Sequence, residues 1–383
     1  MLGWALLADV MPIYPLYALL FTDSGLSGAE VSALFAIWSG VAILTEVPSG
    51  ALADRFSRRN CLVLAAVFQG AGYAAWMLMP SFAGFALGFV LWGVGGSLVS
   101  GAQEALLYDG LADAGAQDRY AQVNGWVTAV QLGAQVPGAV LATSLFATGG
   151  YAPAGWASVG VCLAAAFVAS RLPEPRRGST PDDENDEDDA GYFAILRAGL
   201  VEAAHRPGVR GVLVAAAALS AFDAVEEYFP LILAGWGLPT AIIPIADLPI
   251  VLAGMAGAAL AGAASRLGPW ALGAVLGVAM LLFGGAGLAD HPAGLVAVAV
   301  FYGIYRAVLV VVDARLQERL ESRSRATVTS VAGVGAEAAT FGIYAAWALG
   351  EVLVVAVFGL LLAIAVPLLL RAPKAGPDPV RSG

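Results

Sequence analysis

The sequence predicts an all-α membrane protein of twelve spans, and three observations carry that prediction. The first is composition: 59% of the residues are hydrophobic and 13% charged, with a mean hydropathy of +0.79. Soluble domains run at about 45–50% and about 25%. The second is that apolar runs of bilayer length recur along the whole chain. About 20 residues at 1.5 Å each cross a hydrocarbon core of about 30 Å, so twelve runs need about 240 residues, which 383 accommodate. The third is the sorting of cations. With both termini in the cytoplasm, every Lys and Arg except Arg306 falls in a cytoplasmic segment, the asymmetry that orients membrane helices.

The spans fall at 2–22, 29–52, 60–79, 82–111, 119–148 and 152–171, then 209–235, 240–264, 269–288, 293–316, 326–349 and 351–370. They group into an N-terminal six-helix bundle, 1–171, and a C-terminal one, 209–370, followed by a cytoplasmic tail, 371–383. The segment 172–208 between them is Pro-rich and then acidic, and cannot bury a core. Its run Asp182, Asp183, Glu184, Asp186, Glu187, Asp188 and Asp189 accounts for most of the net charge of −10; the rest of the chain holds 22 acids against 19 bases. The acidity is local and implies no partner for the whole protein. Residues 192–204 then place Phe193, Ile195, Leu196, Leu200 and Val201 on one side of a short amphipathic helix, able to lie on a membrane surface or in solvent.

The two groups of spans look like repeats. Tyr14-Pro15-Leu16 in the first span matches Phe229-Pro230-Leu231 in the seventh, and Gly93 in the fourth aligns with Gly303 in the tenth. Asp118-Arg119 before the fifth matches Ser324-Arg325 before the eleventh.

Gly50 to Asn60 carries Asp54, Arg55, Arg58 and Arg59 between the second and third spans. Gly50 allows close packing at the end of the second span, Asp54 suits a helix N-terminus, and the arginines stay in water on the cytoplasmic side. A stop-transfer cluster would supply the arginines alone. The run Gly50, Leu52, Ala53, Asp54, Arg55, Arg58 and Arg59 resembles the signature loop of the major facilitator superfamily, with Ser57 where a Gly is usual. The resemblance extends to bacterial drug-efflux-like members. It implies two pseudo-symmetric six-helix bundles and alternating access. It also implies a place in the bacterial cytoplasmic membrane and a path lined by the first, fourth, seventh and tenth spans.

A charge at mid-bilayer costs about 2.5–3.5 kcal/mol on insertion scales, so retained charges mark function. They are Asp9, Glu46, Glu104, Asp109, Asp223, Glu226, Glu227, Asp247, Arg306 and Glu337. Asp109 ends the fourth span near the hairpin and is expected to pair with Arg58 or Arg59, completing a conformational latch with Gly50, Asp54 and Arg55. Glu46 lies close enough to join that network. Asp9, Asp223, Glu226, Glu227 and Arg306 fall on the path-lining spans. With Tyr14, Tyr17 and Glu337 they are the expected substrate and proton pathway. At α-helical spacing Asp223, Glu226 and Glu227 share one face, where three carboxylates cannot all ionise cheaply. Arg306, the one mid-span cation, is expected to pair with one of them, as a static link or as a working part. The helix-four arginine motif of many drug antiporters is replaced by Gly95 and Gly96, and Arg306 falls opposite Gly96 in the repeat. Gly125, Gly133, Pro137 and Gly138 give only half of the antiporter signature in the fifth span, leaving direction open.

No phosphate-binding loop, nucleophile arrangement or pore ring is present, so a pump, an enzyme or a channel has no support. His205 and His291 form no metal constellation, and Cys61 and Cys162 sit in apolar surroundings with neither a disulfide nor a metal expected. No cofactor is implied, and no nucleic acid. No basic stretch precedes the first span, which Asp9 and Pro12 interrupt, so no cleaved signal peptide is expected; a tail ahead of residue 1 is an open expectation. The chain is expected to act as a monomer in a lipid bilayer, with protons and a small-molecule substrate as partners. The reading is proton-coupled export of a small amphipathic or drug-like organic solute. Import or uniport of a metabolite is the alternative, and a non-transporting membrane sensor a second.

Overall fold

The fold is that of a computed structural model, which describes residues 1–55, 57–174, 207–319 and 325–371; the side chains at 46–55, 101, 207–208 and 325–331 are not described. The acidic run and the expected amphipathic helix at 192–204 lie outside the described residues, as does most of the tail. Among the described residues every regular element is a helix. Ten segments are long and apolar enough to cross a membrane. One of them, Ala332–Leu369, contains two helices that meet at Gly350 and Glu351. The seventh span is divided: Pro207–Phe222, a 3-10 stretch Asp223–Tyr228, and Phe229–Gly235. Taken together these are consistent with twelve spans.

The described chain forms two compact units. One gathers residues of Met1–Tyr192, Val225–Leu248 and Trp347–Leu349; the other gathers those of Phe193–Ala224, Pro249–Ala346 and Gly350–Gly383. In the first, Trp4, Leu62, Ala65, Leu98, Ala102, Leu106, Ala165 and Ala169 are buried together. Outward positions such as Leu44, Leu163, Leu288 and Leu349 are more than half exposed, a surface suited to hydrocarbon.

The first span is also divided, into Leu2–Asp9, a 3-10 turn Tyr14–Leu16, and Tyr17–Asp23. Pro12 and Pro15 lack the N–H that would continue the helix, so the ladder breaks there. Backbone groups exposed by such a break must be satisfied by protein, because lipid offers no partner. The Ile13 N–H donates to Ser158 Oγ of the sixth span at 3.0 Å. In the seventh span, Tyr305 OH donates to the Leu219 carbonyl just before the break, at 2.6 Å. Pro15 and Pro230 both stand in the first turn of the helical piece that restarts the span, which is what their alignment in the repeat reflects. Both spans end alike. Gly25 has φ 96° and Gly237 φ 79°, left-handed values that glycine adopts at little cost. The following N–H groups reach back five residues, Leu26 to the Phe21 carbonyl and Leu238 to the Leu233 carbonyl, closing the helix.

The hairpin is tighter than the sequence suggests. The second span runs to Arg55 and the third begins at Arg58, with Ser57 accepting the Asn60 N–H at 3.1 Å as an N-cap. The second span opens on a reciprocal cap: Glu30 N–H donates to Ser27 Oγ at 3.3 Å, and Ser27 N–H donates to Glu30 Oε2 at 2.8 Å.

The aligned glycines occupy equivalent crossings. A Cβ on Gly93 would lie 2.8 Å from Val41 Cγ1 of the second span, and one on Gly303 2.8 Å from the Ala253 carbonyl oxygen of the eighth. Close backbone approach of this kind is how membrane helices gain packing without a hydrophobic drive. Gly303→Ala pushes a methyl into a backbone oxygen and is expected to cost about 1–3 kcal/mol. Gly285→Ala, which meets nothing within 4 Å, is expected to leave stability unlowered. Thermal unfolding of both variants in detergent checks the contrast.

Candidate functional site

Three clusters of polar side chains stand out. The first lies in the first unit, around the division of the first span. Tyr17 is buried, ringed by Phe21, Phe35, Trp76, Phe89 and Trp92 with ring centroids 5.5–6.0 Å away. Its hydroxyl donates to Glu227 Oε2, and Tyr14 OH donates to Oε1 at 3.4 Å. Glu227 is itself buried, whereas Tyr14 is 38% exposed, its ring edge-on to Trp92 at 6.0 Å. Trp92 is stacked on Trp38 at 4.8 Å. Beside Glu227, Tyr228 OH bonds Ser32 Oγ at 2.9 Å and its ring lies flat against Trp347, 4.0 Å between centroids. Two phenols on one carboxyl make an adaptable site, because a hydroxyl can donate to a carboxylate or accept from a carboxylic acid.

The second cluster lies in the second unit. Arg306 Nη1 pairs with Asp223 Oδ2 at 2.5 Å, and Tyr302 OH donates to Asp223 Oδ1 at 3.1 Å. The guanidinium stands 6.0 Å from the Tyr302 ring centroid, within cation–π range. Gly254 of the eighth span leaves room for this arrangement, since a Cβ there would lie 2.6 Å from the Tyr302 ring and 3.4 Å from Arg306 Cγ. Both charged side chains are about one-third exposed, at 31% and 33%.

The expected common face of Asp223, Glu226 and Glu227 is corrected. That face presumed α-helical geometry, but the segment is 3-10. At about 120° per residue Glu226 returns to the azimuth of Asp223, and Glu227 stands about 120° away. Asp223 accordingly bonds Arg306 and Tyr302, Glu227 bonds Tyr14 and Tyr17, and Glu226 is exposed. Asp9 is exposed and hydrogen-bonded by the Gln131 side chain; Glu337 is exposed.

The third cluster joins the hairpin to neighbouring spans within the first unit. Arg58 pairs with Asp109, and its Nη1 also donates to the Ala105 carbonyl at 3.3 Å. Arg59 lies 3.6 Å from Glu174, which accepts the Ser57 hydroxyl at 2.6 Å. Gly50 falls within the second helix, while the side chains of Glu46, Asp54 and Arg55 lie outside the described residues. Sequence reasoning missed Glu174, which sits beyond the sixth span, and the ring of Phe35, Trp76, Phe89 and Trp92, whose apolar side chains give no signal within apolar helices.

An all-helical architecture with ten segments long and apolar enough to cross a membrane defines a multi-pass membrane protein. The family model of the Major Facilitator Superfamily matches residues 1–342, and the chain belongs to that family. Its fold is similar to the solved nucleoside transporter NupG, at TM-score 0.70 and 11% identity over 97% of this chain and 100% of that one. It is also similar to a bacterial homolog of the human lysosomal transporter Spinster, solved in an inward-facing and occupied conformation. That likeness has TM-score 0.67 and 17% identity over 96% of this chain and 90% of the other. A D-xylose-proton symporter matches at TM-score 0.64 and 17% identity, over 95% and 94%. No curated protein matches the chain.

The Arg306–Asp223 pair is expected to behave as one unit. In a cycle of Asp223→Asn, Arg306→Gln and the double variant, unfolding midpoints should be non-additive by about 1 kcal/mol or more. Additive losses would show that the two side chains act separately.

Proposed function

We propose that this chain is a proton-coupled secondary transporter of a small amphipathic organic solute, working by alternating access in the export direction. The moving bodies in this reading are the six-span halves, 1–171 and 209–370, joined by the 172–208 linker. Both termini face the cytoplasm of a bacterial cell, and the monomer suffices. Family membership supports transport; proton coupling rests on Glu227. A buried carboxyl held by two hydroxyls can gain and lose a proton with its hydrogen bonds preserved in either state.

Arg306 and Asp223 act in this reading as the second charged element. Their pair is partly exposed, so a solute group can compete for either member. Asp9, Glu226 and Glu337 are exposed acids that supply protons along the path. Arg58 with Asp109, and Gly50, Asp54, Arg55 and Arg59 around them, form the latch that holds one transport state. A half-exposed wall of Tyr14, Trp38 and Trp92 suits an amphipathic molecule, because ring faces offer apolar area and attract partial positive charge. Import uses the same carrier with solute and proton moving together, and the direction of proton movement separates the two.

The test is reconstitution in vesicles holding a pH-sensitive dye, with a panel of amphipathic organic solutes. At least one solute is expected to drive protons against its own direction of movement. Glu227→Gln should abolish the proton signal while solute-for-solute exchange continues. Solute flux without proton movement in the unaltered protein, or an unchanged proton signal in Glu227→Gln, overturns the proposal.

A further inference from the structure

The second unit carries arginines that the proposed function does not use. They gather where three of its spans leave the membrane. Arg315, in the last part of the helix Gly294–Arg319, donates through Nη2 to the Leu267 carbonyl and, at 3.4 Å, to the Ser265 carbonyl. One turn on, Arg319 donates to the Leu370 carbonyl at 2.8 Å. That hold on the end of the twelfth span places the next residue, Arg371, whose guanidinium lies 4.8 Å from the centroid of the Trp270 ring. Trp270 stands in the first turn of the helix Pro269–Ala289, three residues after Leu267. The contacts close a ring, and two guanidiniums, Arg315 and Arg371, converge on one turn of chain and the helix start that follows it. A guanidinium has five N–H donors. Arg315 commits one nitrogen to the turn, and neither Arg315 nor Arg371 forms an ion pair among the described residues. Asp313 and Glu318, the acids closest to Arg315 in sequence, are exposed.

We propose that Arg315 and Arg371, with Trp270, form a binding site for the phosphate of an anionic phospholipid headgroup. Guanidinium forks match phosphate oxygens in shape and charge, and basic pockets between spans at the membrane border take anionic headgroups. The surroundings select a lipid over a soluble phosphate. Trp270 is more than half exposed, as are Ile364 and Leu368 on the span that ends at Leu370. An indole at a span end sits at headgroup depth, and exposed aliphatic side chains on the adjoining span offer acyl chains a surface. The ninth and twelfth spans also cross closely at this end: a Cβ on Gly273 would lie 2.7 Å from the Ala363 carbonyl oxygen. A headgroup held by Arg315 and Arg371 therefore ties together the ends of the tenth and twelfth spans and the start of the ninth. Arg319 is the positioning residue, through the Leu370 carbonyl.

The test uses the purified full chain in an uncharged detergent and reads no transport. Thermal unfolding is followed while phosphatidylglycerol is titrated into the micelles, with phosphatidylcholine and soluble glycerol phosphate as controls. Phosphatidylglycerol is expected to raise Tm saturably by several degrees, because a ligand of the folded state alone stabilises it, and the controls are expected to leave it unmoved. The double variant Arg315→Gln with Arg371→Gln should lose the rise. Arg371→Gln alone, which gives up no carbonyl contact, should raise the half-saturating lipid fraction about fivefold, one cation's share near a charged surface. It serves if the double variant does not fold. Arg171→Gln, which removes a cation 4.9 Å from the Phe167 ring, should keep the full response. The proposal is overturned if phosphatidylglycerol does no more than phosphatidylcholine, or if glycerol phosphate alone gives the same rise. It is equally overturned if the Arg315 and Arg371 variants that fold keep the response, or if Arg171→Gln weakens it as much as they do.

Discussion

Hydrocarbon offers a backbone no hydrogen bonds, and this constraint organises what the protein does with its two interrupted spans. A helix can be unwound inside a membrane only where other parts of the chain take over its N–H and C=O groups. Ser158 does so for Ile13, and Tyr305 for Leu219. Without those two hydroxyls, the Ile13 N–H and the Leu219 carbonyl would lose these partners, at a cost of about 1–3 kcal/mol each. The charged side chains thus depend on uncharged neighbours that a search for charge alone passes over.

The interruptions also sort the acids. Asp223 and Glu227 lie four residues apart, yet one faces a guanidinium and the other two phenols. An ion pair and a carboxyl held by hydroxyls are contacts of different kinds. Placing both on one 3-10 stretch gives a single span two chemistries, without lengthening the list of expensive buried charges.

Much of this was legible in the sequence. Bilayer-length hydropathy located the spans to within a few residues, because lipid imposes one length and one polarity on them. The pairing of Arg306 with an acid on the seventh span was legible because a lone mid-span cation has few possible partners. The Gly93 and Gly303 match has a packing cause in the two helix crossings. The 3-10 geometry was not legible: Asp223, Glu226 and Glu227 read as one α-helical face, and Pro230 marks where the helix restarts rather than how far the break extends. Asp247 was visible as a charge but without a role. The aromatic ring around Tyr17 was hidden because burial in a membrane protein leaves no contrast of polarity.

The stretch Asp223–Tyr228 is also a reserve of length and twist. A 3-10 helix rises about 2.0 Å per residue against 1.5 Å for an α-helix, and turns about 20° more at each step. Were its six residues to widen into α-helix, the span would shorten by about 3 Å and its ends would turn by about a third of a turn relative to one another. A change of hydrogen-bond pattern in this one short segment would thus be expressed as both axial length and twist along the span.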